Sequence, residues 1–197
     1  MNTLESALRR IPNDMRHVNV GWALVGGFAV SAYAGGRATA DIDLALAVSS
    51  NREIDRVVFE LTSIGYEPGV VLEDTETGLT STVRMFSPGK QRRAIYVDLL
   101  LNTCGIEPEV VAAAQARRIR PDLELMVAQL GHLLALKILS ERDDRLQDRI
   151  DIQNMLKVAK SGDIELAIRG MALITERGRA REKDLLGRFR HFQSGSA

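Results

Sequence analysis

Hydrophobic positions along the chain fall into two textures, strand-like in the first half and helix-like in the second. "LESALRRI" (4–11) has apolar residues at helical spacing and predicts a short amphipathic helix. "VNVGWALV" (18–25) is rich in β-branched residues and stops at Gly26-Gly27, after which "FAVSAYAG" (28–35) predicts a short helix closed by Gly35-Gly36. "DIDLALAV" (41–48) alternates acid with apolar residues and then turns wholly apolar, as a buried strand does. "NREIDRVVFELTSIGY" (51–66) returns to helical spacing. "GVVLE", "LTSTVRMFS" and "RRAIYVDLLLN" follow as strands, separated by "DTETG" and "SPGK", which carry turn residues.

Past Pro108 the texture changes. "EPEVVAAAQA" (107–116) predicts a helix, and "RRIRPDLELMVA" (117–128) an extended segment, since Pro121 disfavours helix at Arg120. Four helical stretches then run to the end: "QLGHLLALKILSER", "DRLQDRIDIQNMLKVAK", "DIELAIRGMALITERG" and "AREKDLLGRFRHF". The pattern predicts an α/β (α+β) chain with a strand-bearing core at 1–106 and a mainly helical region at 107–197.

Composition narrows the partners. The 197 residues are 45% hydrophobic and 26% charged, with 26 basic and 26 acidic residues, so no net field draws the chain to nucleic acid or membrane. Cys104 is the lone cysteine, which excludes an internal disulfide and a cysteine zinc site. No apolar run reaches membrane-spanning length and the first residues lack a leader pattern, so the expectation is a soluble cytoplasmic protein. His17, His132 and His191 lack zinc-ligand spacing and read as surface or boundary residues, and Trp22 as core. Two arginine runs, Arg117, Arg118 and Arg120, then Arg177, Arg179 and Arg181, read as solvated surface unless an RNA acceptor gives them phosphates to meet.

One constellation stands out. On a strand, residues i and i+2 share a face, so Asp41 and Asp43 project together with Cβ atoms roughly 6–7 Å apart. Two like charges beneath an apolar sheet repel unless a cation lies between them. Taken alone, the pair reads more readily as two solvated acids at an exposed strand start. Gly26-Gly27 places a strand end and a helix start together, presenting backbone N–H groups and the positive helix end to a phosphate. Neither G-x-G-x-x-G nor a P-loop is present. Asp98, in the apolar run "AIYVDLLL", is a third carboxylate that needs a partner there. Three strand-borne acids beside a glycine turn suit two-metal phosphoryl chemistry. Lys137, among leucines in "HLLALKIL", either snorkels to water or reaches a triphosphate.

G-G-x-A, then R-x-T-x-D-I-D-L, then a hydrophobic strand with one Asp resembles the nucleotidyltransferase fold of the DNA polymerase β superfamily. Within it, Gly26, Gly27, Arg37, Thr39, Asp41 and Asp43 are most similar to the AbiEii/AbiGii (MenT-like) toxin family. "LKILSERDDRLQDRIDIQNML" supplies Lys137, Arg142, Asp148 and Asp151 in comparable order, although "QDRIDI" departs from the family's (K/R)-D-x-x-D. The resemblance implies a mixed sheet flanked by helices, followed by a C-terminal helical bundle that completes the cleft. It implies transfer of an NMP from an NTP to an acceptor hydroxyl, with tRNA or a small molecule as acceptor, and a toxin paired with a cognate antitoxin. Asp41, Asp43 and Asp98 would hold two Mg²⁺ or Mn²⁺ ions and, with Lys137, form the catalytic set. Gly26, Gly27, Arg37, Thr39, Lys137, Arg142 and Asp148 would bind the nucleotide. An antibiotic nucleotidyltransferase of the aminoglycoside or lincosamide kind fits the same motifs, and a binding module of this fold would be expected to have lost the acids.

Overall fold

In the computed structural model, which describes residues 3–35, 39–73, 78–89, 95–142 and 144–195, the first helix is longer than its opening motif suggested. α1 (Thr3–Val18) runs on through Pro12. Ala7, Leu8, Ile11, Met15 and Val18 are all buried, so one apolar stripe outweighs the backbone hydrogen bond that proline removes. Asn19, with φ of 51°, ends it, and strand β1 (Trp22–Val25) starts only after Gly21. There follow α2 (Gly26–Ala34), β2 (Ile42–Leu46) and α3 (Asn51–Ser63), whose Ser50 side chain caps the Glu53 N–H. β3 (Glu67–Glu73), β4 (Thr80–Phe86) and β5 (Tyr96–Leu100) come next.

Helix α4 (Glu107–Ala112) stops short of the predicted "AQA". Gln115 already belongs to β6 (Gln115–Arg120), which turns at Pro121-Asp122 into β7 (Leu123–Val127). Gln115 pairs with Val127, so hairpin hydrogen bonds prevail over the helix propensity of the alanines. The seven strands form one sheet in the order β3-β4-β5-β2-β1-β7-β6. The β2–β5 and β1–β7 pairs are parallel and the rest antiparallel. β7 lies beside β1, with Leu24 opposite Val127 and the Ala128 N–H donating to the Leu24 carbonyl at 3.0 Å. Strands from beyond residue 107 therefore complete the sheet begun before it.

Register sorts the side chains onto two faces. Asp43 lies beside Asp98, and Arg84 opposite Asp98. The alternating positions Ile42, Leu44, Val83, Met85, Val97 and Leu99 point to the other face and are fully buried.

The remaining helices are α5 (Leu130–Ser140), α6 (Leu146–Val158), α7 (Ser161–Glu176) and α8 (Leu185–Gln193). α5 touches α2, α6, α7 and α8, and its apolarity on all sides suits that central position. It approaches α7 closely, because a Cβ on Gly131 would lie 2.4 Å from the Asp163 carbonyl oxygen. His132, expected at the surface, is only 4% exposed in this contact, and burial pushes its imidazole pKa down towards the neutral form. Trp22, expected in the core, is half-buried and packs against the core's edge. Among the described residues, no helix is long and apolar enough to cross a membrane.

Glu141 ties the helices together. Its buried carboxylate accepts hydrogen bonds from Arg149 of α6 and Arg188 of α8. Lys183 donates to the Leu139 and Glu141 carbonyls, 2.7 Å from each, closing the end of α5. Glu141→Ala should cost about 2–3 kcal/mol in urea unfolding, below the range for fully buried pairs because the guanidinium groups reach water. A loss under about 0.5 kcal/mol would reduce Glu141 to the worth of a surface charge.

Candidate active site

The glycine turn is shaped around Asp43. Gly26 has φ of +62°, and a Cβ there would sit 1.9 Å from Asp43 Oδ2. The next residue, Gly27, donates its backbone N–H to the Asp43 carboxylate. A turn read from sequence as open to phosphate thus first serves a carboxylate. Gly26→Ala should destabilise the fold by about 2–4 kcal/mol, from left-handed strain plus the clash. In an Asp43→Ala background the clash with the carboxylate should vanish and only the 2.8 Å approach to the Cβ remain, and a double-mutant cycle on unfolding free energies reads that difference. Equal costs in both backgrounds would separate Gly26 from Asp43.

Asp43 is strongly perturbed. Burial, followed by the charges of Asp98 and Asp41, pushes its pKa up to about 6, against the lowering effects of Lys137 and the Gly27 amide. Asp41 precedes it on the same face, and the Thr39 hydroxyl donates to the Asp41 backbone carbonyl at 3.4 Å. Asp98 is already engaged. Arg84 Nε donates to Oδ1 and Nη2 to Oδ2, each at 2.7 Å, in a two-pronged pair across β4 and β5. The guanidinium also lies 4.8 Å from the centre of the Tyr96 ring. Sequence reasoning missed Arg84, whose signal was a cation alternating with Val83 and Met85 in a strand.

Lys137 does not simply snorkel. From α5 its Nζ lies 2.8 Å from Asp148 Oδ1 and 2.9 Å from Asp151 Oδ2, both acids buried on α6. Gln147 donates to the other Asp151 oxygen. Asp148 Oδ2 is buried without a hydrogen-bond partner, although Arg145 Nη1 stands 4.0 Å away.

These groups line one cavity of about 410 Å³ between the sheet and the helices. Gly26, Gly27, Thr39, Asp41, Asp43, Asp98, Lys137 and Asp148 all reach it, together with Arg84, Arg145 and Arg181, while Val25, Val30, Leu133 and Leu136 supply apolar wall. Arg142 does not reach it. That side chain is exposed and pairs with Asp144 at 3.3 Å, so Arg145 takes the rim position in its place. Arg37 lies outside the described residues. Of the arginine runs, Arg117 stacks 3.6 Å from the Tyr33 ring centre, Arg118 stands near Glu124, and Arg177 holds Glu109. Arg181, held by the Thr103 carbonyl at 3.2 Å, is the one that faces the cavity.

Carboxylate oxygens are hard donors of the kind Mg²⁺ and Mn²⁺ prefer, and the raised pKa of Asp43 marks negative charge that a cation would relieve. The donor chemistry therefore fits a divalent ion. Arg84 occupies both oxygens of Asp98, however, and among the described residues no three Asp, Glu, His or Cys side chains stand together as an ion-holding group.

Residues 14–194 match the family described as nucleotidyl transferase AbiEii toxin, type IV TA system. The fold is similar to that of an antigenic nucleotidyltransferase-like protein from Paracoccidioides brasiliensis, at 18% identity and a TM-score of 0.55 over 95% of this chain and 92% of that one. It is also similar to the lincosamide antibiotic adenylyltransferase LnuA with lincomycin bound, at 19% identity and 0.50 over 81% and 100%. The antibiotic-resistance factor ANT(2'')-Ia is similar at 15% identity and 0.56 over 92% and 97%. At these identities the likeness establishes the fold, that of polymerase β-like nucleotidyltransferases. No curated protein matches the chain.

Proposed function

The chain belongs to the AbiEii toxin family of nucleotidyl transferases, and from that premise we propose that its cavity moves an NMP group from an NTP to an acceptor hydroxyl. The observation that carries the reading is the meeting, in one cavity, of Asp43 and Asp98 from the sheet and Asp41 just before β2 with a lysine delivered by α5. The acceptor oxygen bonds to the α-phosphorus, the bond to the bridging oxygen breaks, and pyrophosphate leaves. Asp41 and Asp43 would hold Mg²⁺ or Mn²⁺, with Asp98 completing a two-ion set. The ions would supply Lewis acidity at the phosphoryl oxygens and lower the pKa of the attacking hydroxyl.

The chain's own residues do the rest. Lys137 sets a positive charge opposite the acids, where the triphosphate needs it, and Asp148 and Asp151 fix its direction. Gly26, Gly27 and Thr39 border the phosphate path. Arg145 and Arg181 supply rim cations for an RNA acceptor such as tRNA. We place the protein as the toxin of a toxin–antitoxin pair on the family's description. The acid-rich wall also suits a cationic aminoglycoside, which is the second reading.

The test is incubation with Mg²⁺ and each NTP labelled at the α- or γ-phosphate, with total RNA, aminoglycosides or lincosamides as acceptor. α-Label in RNA without γ-label supports the first reading. Label in the antibiotic supports the second. Label in none of them would defeat both.

A further inference from the structure

We propose that Arg84 governs access to the cation site: its guanidinium and a divalent ion compete for the same carboxylate, Asp98. The inference rests on the metal-dependent reading above and concerns a residue to which that reading gives no part.

Three observations converge. First, the pair is complete. Both Asp98 oxygens accept from Arg84 at 2.7 Å, and the Asp98 side chain is only 13% exposed, so an entering ion meets a carboxylate with its best directions taken. Second, the pair is built by the sheet rather than by a flexible surface encounter. Arg84 and Asp98 are direct cross-strand partners on β4 and β5, and the Tyr96 ring supports the guanidinium. Third, the Arg84 side chain is 38% exposed, so it has room to move outward while Asp98 stays. Asp98 is also the register neighbour of Asp43 on the other side. Arg84 thus compensates one of the negative charges that act on Asp43 when no ion does so, and an ion bound by Asp43 and Asp98 together competes with it.

The consequence is a resting affinity for divalent ions set below what the three acids could give. Removing the competitor should raise that affinity, and the rise should depend on Asp98.

The experiment measures Mn²⁺ binding by calorimetry and by the loss of free-ion EPR signal, without nucleotide. It compares wild type, Arg84→Gln, Arg84→Lys and Arg84→Gln with Asp98→Asn, with folding checked by circular dichroism. Arg84→Gln should bind Mn²⁺ about tenfold more tightly or better, since a two-pronged charge-assisted pair no longer opposes the ion. Arg84→Lys should fall between, because an ammonium keeps the charge and loses the fork. Adding Asp98→Asn should abolish the gain. In thermal melts, Arg84→Gln should unfold at lower temperature than wild type without ions and recover more of that loss on adding Mn²⁺. A merely structural Arg84 would lower the melting temperature and leave Mn²⁺ affinity unchanged. Equal measurable affinities in wild type and Arg84→Gln overturn the competition and leave the metal reading standing. Absence of Mn²⁺ binding in both overturns the two together.

Discussion

Asp43→Asn is expected to end nucleotidyl transfer and, in the same protein, to raise stability at neutral pH without divalent ions. Burial and the neighbouring acids push the Asp43 pKa from 3.8 to about 6. A carboxyl whose folded pKa is raised favours the folded state below its unfolded pKa, and loses that contribution as pH climbs to the folded value. The penalty is therefore absent near pH 3.8 and complete above about 6, where it amounts to about 3 kcal/mol. Asparagine keeps an oxygen for the Gly27 N–H and carries no charge. Urea unfolding at pH 7.5 with chelator should show a gain approaching that figure, shrinking towards zero near pH 4. Transfer should fall on the order of 1,000-fold, as expected where a charge-stabilising group leaves a transition state. Asp41→Asn should share the catalytic loss. Retained transfer in both variants would remove the cation mechanism, and a flat stability profile would show that Asp43 is not the strained acid.

Lys137→Ala should lower kcat/KM by roughly 30- to 1,000-fold, the worth of one charge-assisted phosphate contact. Lys137→Arg should recover little, because a planar fork does not fit the two-carboxylate seat occupied by a compact ammonium. The structure also fixes the effect on stability. Lys137→Met takes the ammonium from between two buried carboxylates, Asp148 and Asp151, so it should destabilise by about 3–5 kcal/mol. A snorkelling lysine would have given a neutral or favourable change. Adding Asp151→Asn to Lys137→Met should restore much of the stability and none of the activity, which separates the catalytic loss from a folding defect. Restored activity in that double variant would place Lys137 outside the chemistry.

Much of the architecture was legible because period-two alternation reports the face of a strand directly. Asp43 faces the cavity and Ile42 and Leu44 the core for that reason, with Asp41 reaching the same cavity from just before the strand, and Gly26 marks the end of β1 because the carboxylate of Asp43 needs its empty space. What escaped depends on pairing, which a linear pattern does not contain. Arg84 meets Asp98 only through the β4–β5 register. Glu141 sits in a charged stretch that reads as solvent-facing, yet arginines from two other helices close over it. His132 lies in a helix apolar on every side, where helical spacing cannot tell a surface position from a buried one. The "AQA" segment illustrates the same limit, since alanine favours a helix until a hairpin partner claims the backbone.

The parallel contact between β1 and β7 also sets an order of events during synthesis. Leu24 and Val127 meet across about a hundred residues of chain, and such distant pairing pays its loop-closure entropy before any contact rewards it. As the chain leaves the ribosome from its N-terminal end, β1 has β2 beside it early but waits for its second neighbour until β7 has emerged, and α5, which carries Lys137, follows immediately. A nascent chain that ends before α5 has three acids and no lysine to face them. The cavity can close only once α5 and α6 are both free of the ribosome, because Lys137 comes from the first and the acids that hold it from the second.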